Sequence, residues 1–271
     1  MQKFDHYYQA AETQADITLD GSWGQGKTTF GGMSAALALA AIEAAIDSDS
    51  DKPLRSVSVS FCGPLQTEVP FNIATQSLRQ GRSVSHWQAQ VHQNDECCTV
   101  INACYGSTRN SDIVVSPANQ NCGEAGSGQK LPYIAGMTPE FVKHIDFTYV
   151  SGGIPFTNSP HDHVHGWMRF SDCDTQITDA HLLALIDAWP PTTLQKLKRV
   201  APCASVTWNV EMITPLADLA KPIEGKDWLY YEADIREAHG GYAHTEARIF
   251  SADGALLALS RQLVVVYDRR D

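Results

Sequence analysis

The 271-residue sequence contains no apolar run of the roughly 18 residues that a membrane-crossing helix needs. Its opening ten residues, MQKFDHYYQA, lack the apolar stretch of a secretory signal. Basic residues are scarce: 20 Lys and Arg stand against 31 Asp and Glu, a net charge of −11. That balance argues against a nucleic-acid-binding surface. It also means that an anionic ligand must find a local basic patch or a helix N-terminus. There is no CxxC pair. The seven cysteines are odd in number and include the neighbours Cys97 and Cys98. Reduced packing thiols in a cytoplasmic protein are expected, rather than a disulfide framework. No GxSxG nucleophile elbow is present, which disfavours a Ser-His-Asp hydrolase.

Two motifs are present but sit in the wrong context. Gly21 to Thr28 (GSWGQGKT) matches the phosphate-loop pattern letter for letter. A phosphate loop, however, follows a buried parallel strand and opens a helix at its Lys-Ser/Thr. Here the preceding Ile17 to Asp20 is short and half polar, and Thr29 to Gly32 delays the helix. The alternating His161, His163 and His165 have a spacing that can meet Zn²⁺, but no second ligand cluster accompanies them. No metal and no cofactor are expected.

Two stretches read as helices. Phe30 to Ile46 (FGGMSAALALAAIEAAI) is nearly all apolar after its two glycines, as a helix buried on most sides would be. Asp179 to Trp189 opens after Thr178, a good N-cap, and stops at Pro190-Pro191. Strands are predicted over Arg55 to Leu65, Phe71 to Leu78, Ser83 to Val91 and Cys97 to Tyr105. A second set covers His165 to Phe170, Ala204 to Ile213, Trp228 to Glu237, Tyr242 to Phe250 and Leu256 to Tyr267. Between the sets, 107–131 is rich in Ser, Asn, Gln and Gly and reads as a linker or crossover. The order helix then antiparallel strands thus occurs twice. Ser56 to Phe61 aligns with Ser205 to Val210, and Ala89 to Asp95 with Ala247 to Asp253. Duplication is the better reading. It gives three segments: 1–106, the linker 107–131, and 132–271.

Three local patterns carry a family resemblance. They are Phe30-Gly31-Gly32 before an Ala-rich helix, Gly81-Arg82-Ser83 at a strand entry, and Ala252-Asp253-Gly254 before a strand containing Gln262. In this order they resemble acyl-CoA thioesterase II-like proteins. The resemblance implies an α+β double hotdog: two tandem antiparallel sheets, each wrapping a long helix. It also implies hydrolysis of acyl-CoA by an oriented water. The water-holding Asp maps to Asp187, the hydroxyl residue to Ser205 and the carboxamide to Gln262. Where the family often has Asp-His shortly after the hydroxyl residue, this chain has Thr207-Trp208. Period-two alternation puts Thr207 on the same face as Ser205, so either hydroxyl could serve.

The chemistry suits those residues. A carboxylate on an apolar helix has a raised pKa and can act as general base. A hydroxyl and a carboxamide fix the water. Gly31, Gly32 and Met33, at the first helix's N-terminus, are candidates to donate N–H groups to the oxyanion. The first helix has Leu37-Ala38-Leu39 where the second has Asp187, so the two copies are not expected to be equivalent. Trp23, Trp87, Trp189 and Trp208 are candidates for tunnel walls. The partner is an acyl-CoA, with homo-oligomers through sheet edges as a further expectation. The rival reading is a non-catalytic hotdog protein that binds acyl-CoA or acyl carrier protein.

Overall fold

The computed structural model describes residues 1–13, 16–46, 51–116 and 119–268. The chain opens with α1 (Phe4–Glu12), a helix the sequence patterns did not announce. The two-residue strands β1 (Gly24–Gln25) and β2 (Thr28–Thr29) then pair antiparallel. They turn at Gly26, whose φ of +75° suits glycine. The phosphate-loop pattern is therefore a small hairpin. Next come α2 (Gly31–Ala45) and the strands β3 (Leu54–Phe61), β4 (Asn72–Gln80), β5 (Val84–Gln93) and β6 (Glu96–Gly106). The second half contains β7 (Gln129–Lys130), β8 (Ile145–Gly152), β9 (His163–Phe170) and α3 (Asp179–Ala188). It ends with β10 (Cys203–Met212), β11 (Leu229–His239), β12 (Tyr242–Ser251) and β13 (Leu256–Val266).

Apart from the β1–β2 hairpin, the named strands form one antiparallel sheet of eleven. Their order is β4-β5-β6-β3-β10-β13-β12-β11-β9-β8-β7. The two expected tandem sheets are thus joined edge to edge into one. β3 and β10 would each be an edge with unpaired N–H and C=O groups, and each satisfies the other along Ser56–Ser60 and Thr207–Glu211. Reading outward from that seam, β3-β6-β5-β4 on one side mirrors β10-β13-β12-β11 on the other.

The predicted helices form for the reasons the sequence gives. In α2 every residue from Gly32 to Ile42 is buried, and small side chains let other elements come close. In α3 the Thr178 side chain accepts from the His181 N–H in a capping box. At the other end Pro190 holds Trp189 extended, at ψ 134°, so the helix stops. The two helices lie antiparallel, as Gly32 approaches Ala184 and Asp187 while Glu43 senses the charge of Asp179.

The predicted linker is more structured than its composition suggests. Gln129–Lys130 adds β7 to the sheet. Cys122 is buried with Trp167, Tyr230 and Phe250 in a small second core. The Gln120 N–H donates to the Gly254 carbonyl. All seven cysteines are free. Among the described residues no helix is long and apolar enough to cross a membrane.

β10 sits at the middle of the sheet, and Trp208 is its anchor. The ring is 1% exposed, and its Nε1–H donates to Ser260 Oγ at 2.8 Å. Trp208→Ala is expected to lower stability by about 3–5 kcal/mol. Urea unfolding followed by circular dichroism measures this, and a loss below about 1 kcal/mol would contradict the packing described.

Candidate active site

Asp187 lies in the last turn of α3, after the apolar run Leu182 to Ile186. Protein surrounds its carboxyl, yet part of the residue stays open to solvent. Burial pushes its pKa up from 3.8 to about 7, against the opposing hydrogen bonds of Gln262 and the Gly32 N–H. The position brings opposite helix ends together. Asp187 is at the negative end of its own helix and faces the positive start of α2.

Gln262 is the bridge. Its Nε2 donates to Asp187 Oδ1 at 2.6 Å and to Ser205 Oγ at 2.9 Å. Both amide hydrogens are thereby committed. The carboxyl and the hydroxyl, 18 residues apart along the chain, are held against one group from β13. Three of the residues singled out from the sequence thus meet.

Thr207 does not join them. A β-bulge between Ser205 and Thr207 shifts the register against β13, from Ser205↔Val264 to Thr207↔Leu263. The extra residue, Val206, breaks the alternation, so Ser205 falls on the face that Trp208, Val210 and Met212 bury. Thr207 is exposed on the other side. This corrects the expectation that the two hydroxyls share a face.

The glycines have a steric role the sequence did not make plain. A Cβ on Gly32 would lie 2.8 Å from Asp187 Cβ and 3.0 Å from the Ala184 carbonyl oxygen. A Cβ on Gly31 would strike the Phe61 ring at 2.7 Å and lie 3.1 Å from Asp187 Oδ2. Only glycine lets α2 start this close to the carboxyl. Met33 is corrected as an oxyanion donor: it is fully buried, and its N–H donates to the Phe30 carbonyl at 3.2 Å. The Gly32 N–H faces the Asp187 carboxyl.

Sequence reading missed Tyr231 and Phe61 and left Trp189 undirected. Trp189, two residues past Asp187, stacks on Tyr231 at 4.9 Å and 9°. It meets Phe147 and Tyr149 edge-on. Burial raises the Tyr231 phenol above its usual range, and the charge of Asp187 adds to the effect. Only the inward parity of β11 could have separated Tyr231 from Tyr230. Of the other tryptophans, Trp23 stacks on His144 at 3.9 Å and on Phe30, the residue before α2, at 6.2 Å. The histidines 161, 163 and 165 step past one another at 5.3 and 4.8 Å, and His163 bonds Ser151.

Comparison with known proteins now bears directly on this geometry. Residues 19–106 match the acyl-CoA thioesterase N-terminal domain, and residues 121–266 match the acyl-CoA thioesterase C-terminal domain. The chain belongs to the acyl-CoA thioesterase family. No curated protein sequence is similar enough to match it. Among solved structures it is similar to a hot dog fold protein from Alicyclobacillus acidocaldarius, at 22% identity and a TM-score of 0.80, covering 96% of this chain and 98% of that one. The tesB protein of Mycobacterium avium subspecies paratuberculosis is 18% identical, with a TM-score of 0.69 and coverage of 98% and 99%. The acyl-CoA thioesterase II of Mycobacterium marinum is 16% identical, with a TM-score of 0.63 and coverage of 88% and 89%. At these identities the structural likeness establishes the hotdog fold.

The Asp187 environment predicts a pH signature in stability. The folded value of about 7 lies above the ordinary 3.8. Between the two, the native state binds a proton that the unfolded chain releases. The associated stability is full below about 3.8 and is lost as pH rises through about 7. Asp187→Asn should flatten that slope and stabilise the protein at neutral pH, by up to about 4 kcal/mol. Chemical unfolding of both proteins at a series of pH values checks this, and parallel curves would show that Asp187 titrates normally.

Proposed function

We propose that the chain is a tandem double hotdog enzyme that hydrolyses acyl-CoA thioesters to the free acid and CoA. In this reading 1–106 and 132–271 are the two hotdog units, and 107–131 is the crossover between them. The observation that carries it is the Gln262 amide joined to both Asp187 and Ser205. A merely structural aspartate on an apolar helix gains nothing from a hydroxyl held beside it. A water-activating one does.

The attacking water is held by the Asp187 carboxylate and the Ser205 hydroxyl. Because Gln262 donates to Ser205 Oγ, the serine's own hydrogen is free for another acceptor. Asp187 takes a proton from the water as its oxygen attacks the thioester carbonyl carbon. A base with a pKa near 7 is half ionised at neutral pH and still basic enough to help. The developing oxyanion is met by the Gly31 N–H at the start of α2, where the first helical N–H has no intrahelical acceptor. Gly31 and Gly32 allow the close approach. The C–S bond then breaks, and the proton on Asp187 passes to the departing CoA thiolate. Gln262 is a positioning residue, since both its hydrogens hold other catalytic groups in place.

The convergence supports this reading over a non-catalytic hotdog that binds acyl-CoA or acyl carrier protein, for which an Asp187 turned to solvent would have spoken. Free cysteines support a cytoplasmic setting. Association of copies would use the outer sheet edges, because the inner pair is closed by the β3–β10 seam.

Thiol release from a panel of acyl-CoAs tests the activity, and no turnover at any chain length would overturn it. Asp187→Asn should lower kcat by about 10²–10⁴-fold with an unchanged circular dichroism spectrum. The bulge makes a sharper demand on the two hydroxyls. Ser205→Ala should lower kcat by about 10²-fold, whereas Thr207→Ala should stay within about twofold of the parent. Equal losses in the two variants would refute the assignment of Ser205.

A further inference from the structure

Far from Asp187, at the opposite end of α3, side chains from three elements converge. Asp5 is in the first turn of α1, Cys173 follows β9, and His181 is in the first turn of α3. One ligand atom of each lies within 4.8 Å of the other two. His181 Nε2 is 2.9 Å from Asp5 Oδ1, and Cys173 Sγ is 3.9 Å from the same oxygen. The His181 side chain and Cys173 are each 2% exposed, while the Asp5 side chain keeps 17%.

We propose that Asp5, Cys173 and His181 form a Zn²⁺ site that clamps α1 onto the start of α3, with a water on the open side of Asp5 as fourth ligand.

The geometry is close to what the ion needs. Tetrahedral bonds of about 2.3 Å to sulfur and about 2.0–2.2 Å to nitrogen and oxygen set ligand separations of about 3.4 Å for N···O and about 3.6 Å for S···O. The observed N···O and S···O separations bracket these values, and with all three ligand atoms within 4.8 Å of one another a small inward movement of the thiol admits the ion. Gly225 packs against the thiol so closely that a Cβ there would lie 2.2 Å from Cys173 Sγ, which keeps the sulfur aimed at the pair.

Neighbouring hydroxyls already hold the ligands, with Thr175 Oγ1 also 3.5 Å from Cys173 Sγ. Thr175 Oγ1 donates to Asp5 Oδ1 at 2.7 Å. Thr178 Oγ1 stands 2.8 Å from His181 Nδ1. Without metal, His181 donates its Nε2–H to Asp5. With metal on Nε2, the ring proton sits on Nδ1 and is donated to Thr178 Oγ1, an acceptor already in place. The Cys173 thiol, which burial keeps protonated, releases its proton to solvent. Carboxylate, thiolate and neutral imidazole then balance the two positive charges of the ion. A hydrogen-bonded Asp-His pair alone would give no reason for a thiol at the same point.

The expected effect is mechanical. Lys3 pairs with Asp172 and Asp174 at the surface, where such pairs are weak. Zinc would add a buried cross-link between the same elements, and metal affinity would appear as folding stability.

The test is a Co²⁺ titration of chelator-treated full-length protein. A thiolate-to-cobalt charge-transfer band saturating at about one ion per chain, displaced by Zn²⁺, is expected. Cys173→Ser should abolish the band, whereas Cys62→Ser, which removes an exposed thiol, should keep it. Zinc should raise the melting temperature of the parent but not that of Cys173→Ser. No band, or a band that survives Cys173→Ser, overturns the proposal. Should Cys173→Ser fail to fold by circular dichroism, X-ray absorption of the zinc-loaded parent decides. A single sulfur scatterer beside nitrogen and oxygen supports the site, and none or more than one overturns it.

Discussion

The contact between the start of α2 and the end of α3 is the constraint on which the rest depends. Two adjacent glycines bring the helices so close that a single added methyl group would fall within 3 Å of Asp187. That closeness does two things at once. It removes the carboxyl from most of the water, which opposes its charge. It also sets the positive end of α2 beside it, which favours that charge. The result is a carboxyl near 7 rather than one fixed as an acid or as a strong anion. The β3–β10 seam is the matching constraint in the sheet, because it places the strand carrying Ser205 at the centre of a continuous ladder.

Much of this was legible in the residues. The apolar run of α2, the Thr178 cap and the Pro190-Pro191 stop fixed both long helices to within a residue or two of their observed ends. The alignment of Ala89–Asp95 with Ala247–Asp253 falls on β5 and β12, both ten residues long. Asp187, Ser205 and Gln262 came from the family resemblance that the order of short patterns carries, and the fold brings them together. What stayed hidden depended on pairing. The bulge that chooses Ser205 over Thr207 exists only in relation to β13, so strict alternation along β10 alone put both hydroxyls on one face. α1 was hidden for a different reason: FDHYYQAAE is short and mixed, and its buried Phe4, Tyr7 and Ala11 are fixed by tertiary contacts. β8 was missed because Ile145–Gly152 buries three consecutive residues, Phe147 to Tyr149, instead of alternating.

The bulges also correct how the two halves correspond. β3 carries its own register shift, between Leu54 and Ser56, against β6. Matching bulge to bulge sets Leu54 against Ser205, so the alignment of Ser56 with Ser205 is off by two residues. The parity survives, since Val57 and Val59 then fall on Trp208 and Val210, all buried. The pair Val57↔Ala103 takes the place of Trp208↔Gln262. The first half therefore has leucine and alanine where the second has the hydroxyl and the amide.

That substitution explains why the two ends of the helix pair should behave differently. The end opposite Asp187 is not apolar: Glu43 and Asp179 meet there beside Tyr105, whose buried hydroxyl has no partner among the described residues. Burial acts on Glu43 as it does on Asp187, but the neighbours act in opposite directions. Gln262 and the Gly32 N–H pull Asp187 down, whereas the charges of Asp179 and Glu12 push Glu43 further up, to about 8. A carboxyl at about 8 is mostly protonated at neutral pH, while one at about 7 is half ionised. Leu54 and Ala103 cannot donate the hydrogen bonds that would shift that balance. The two buried carboxyls thus differ in their partners rather than in the direction in which burial pushes them.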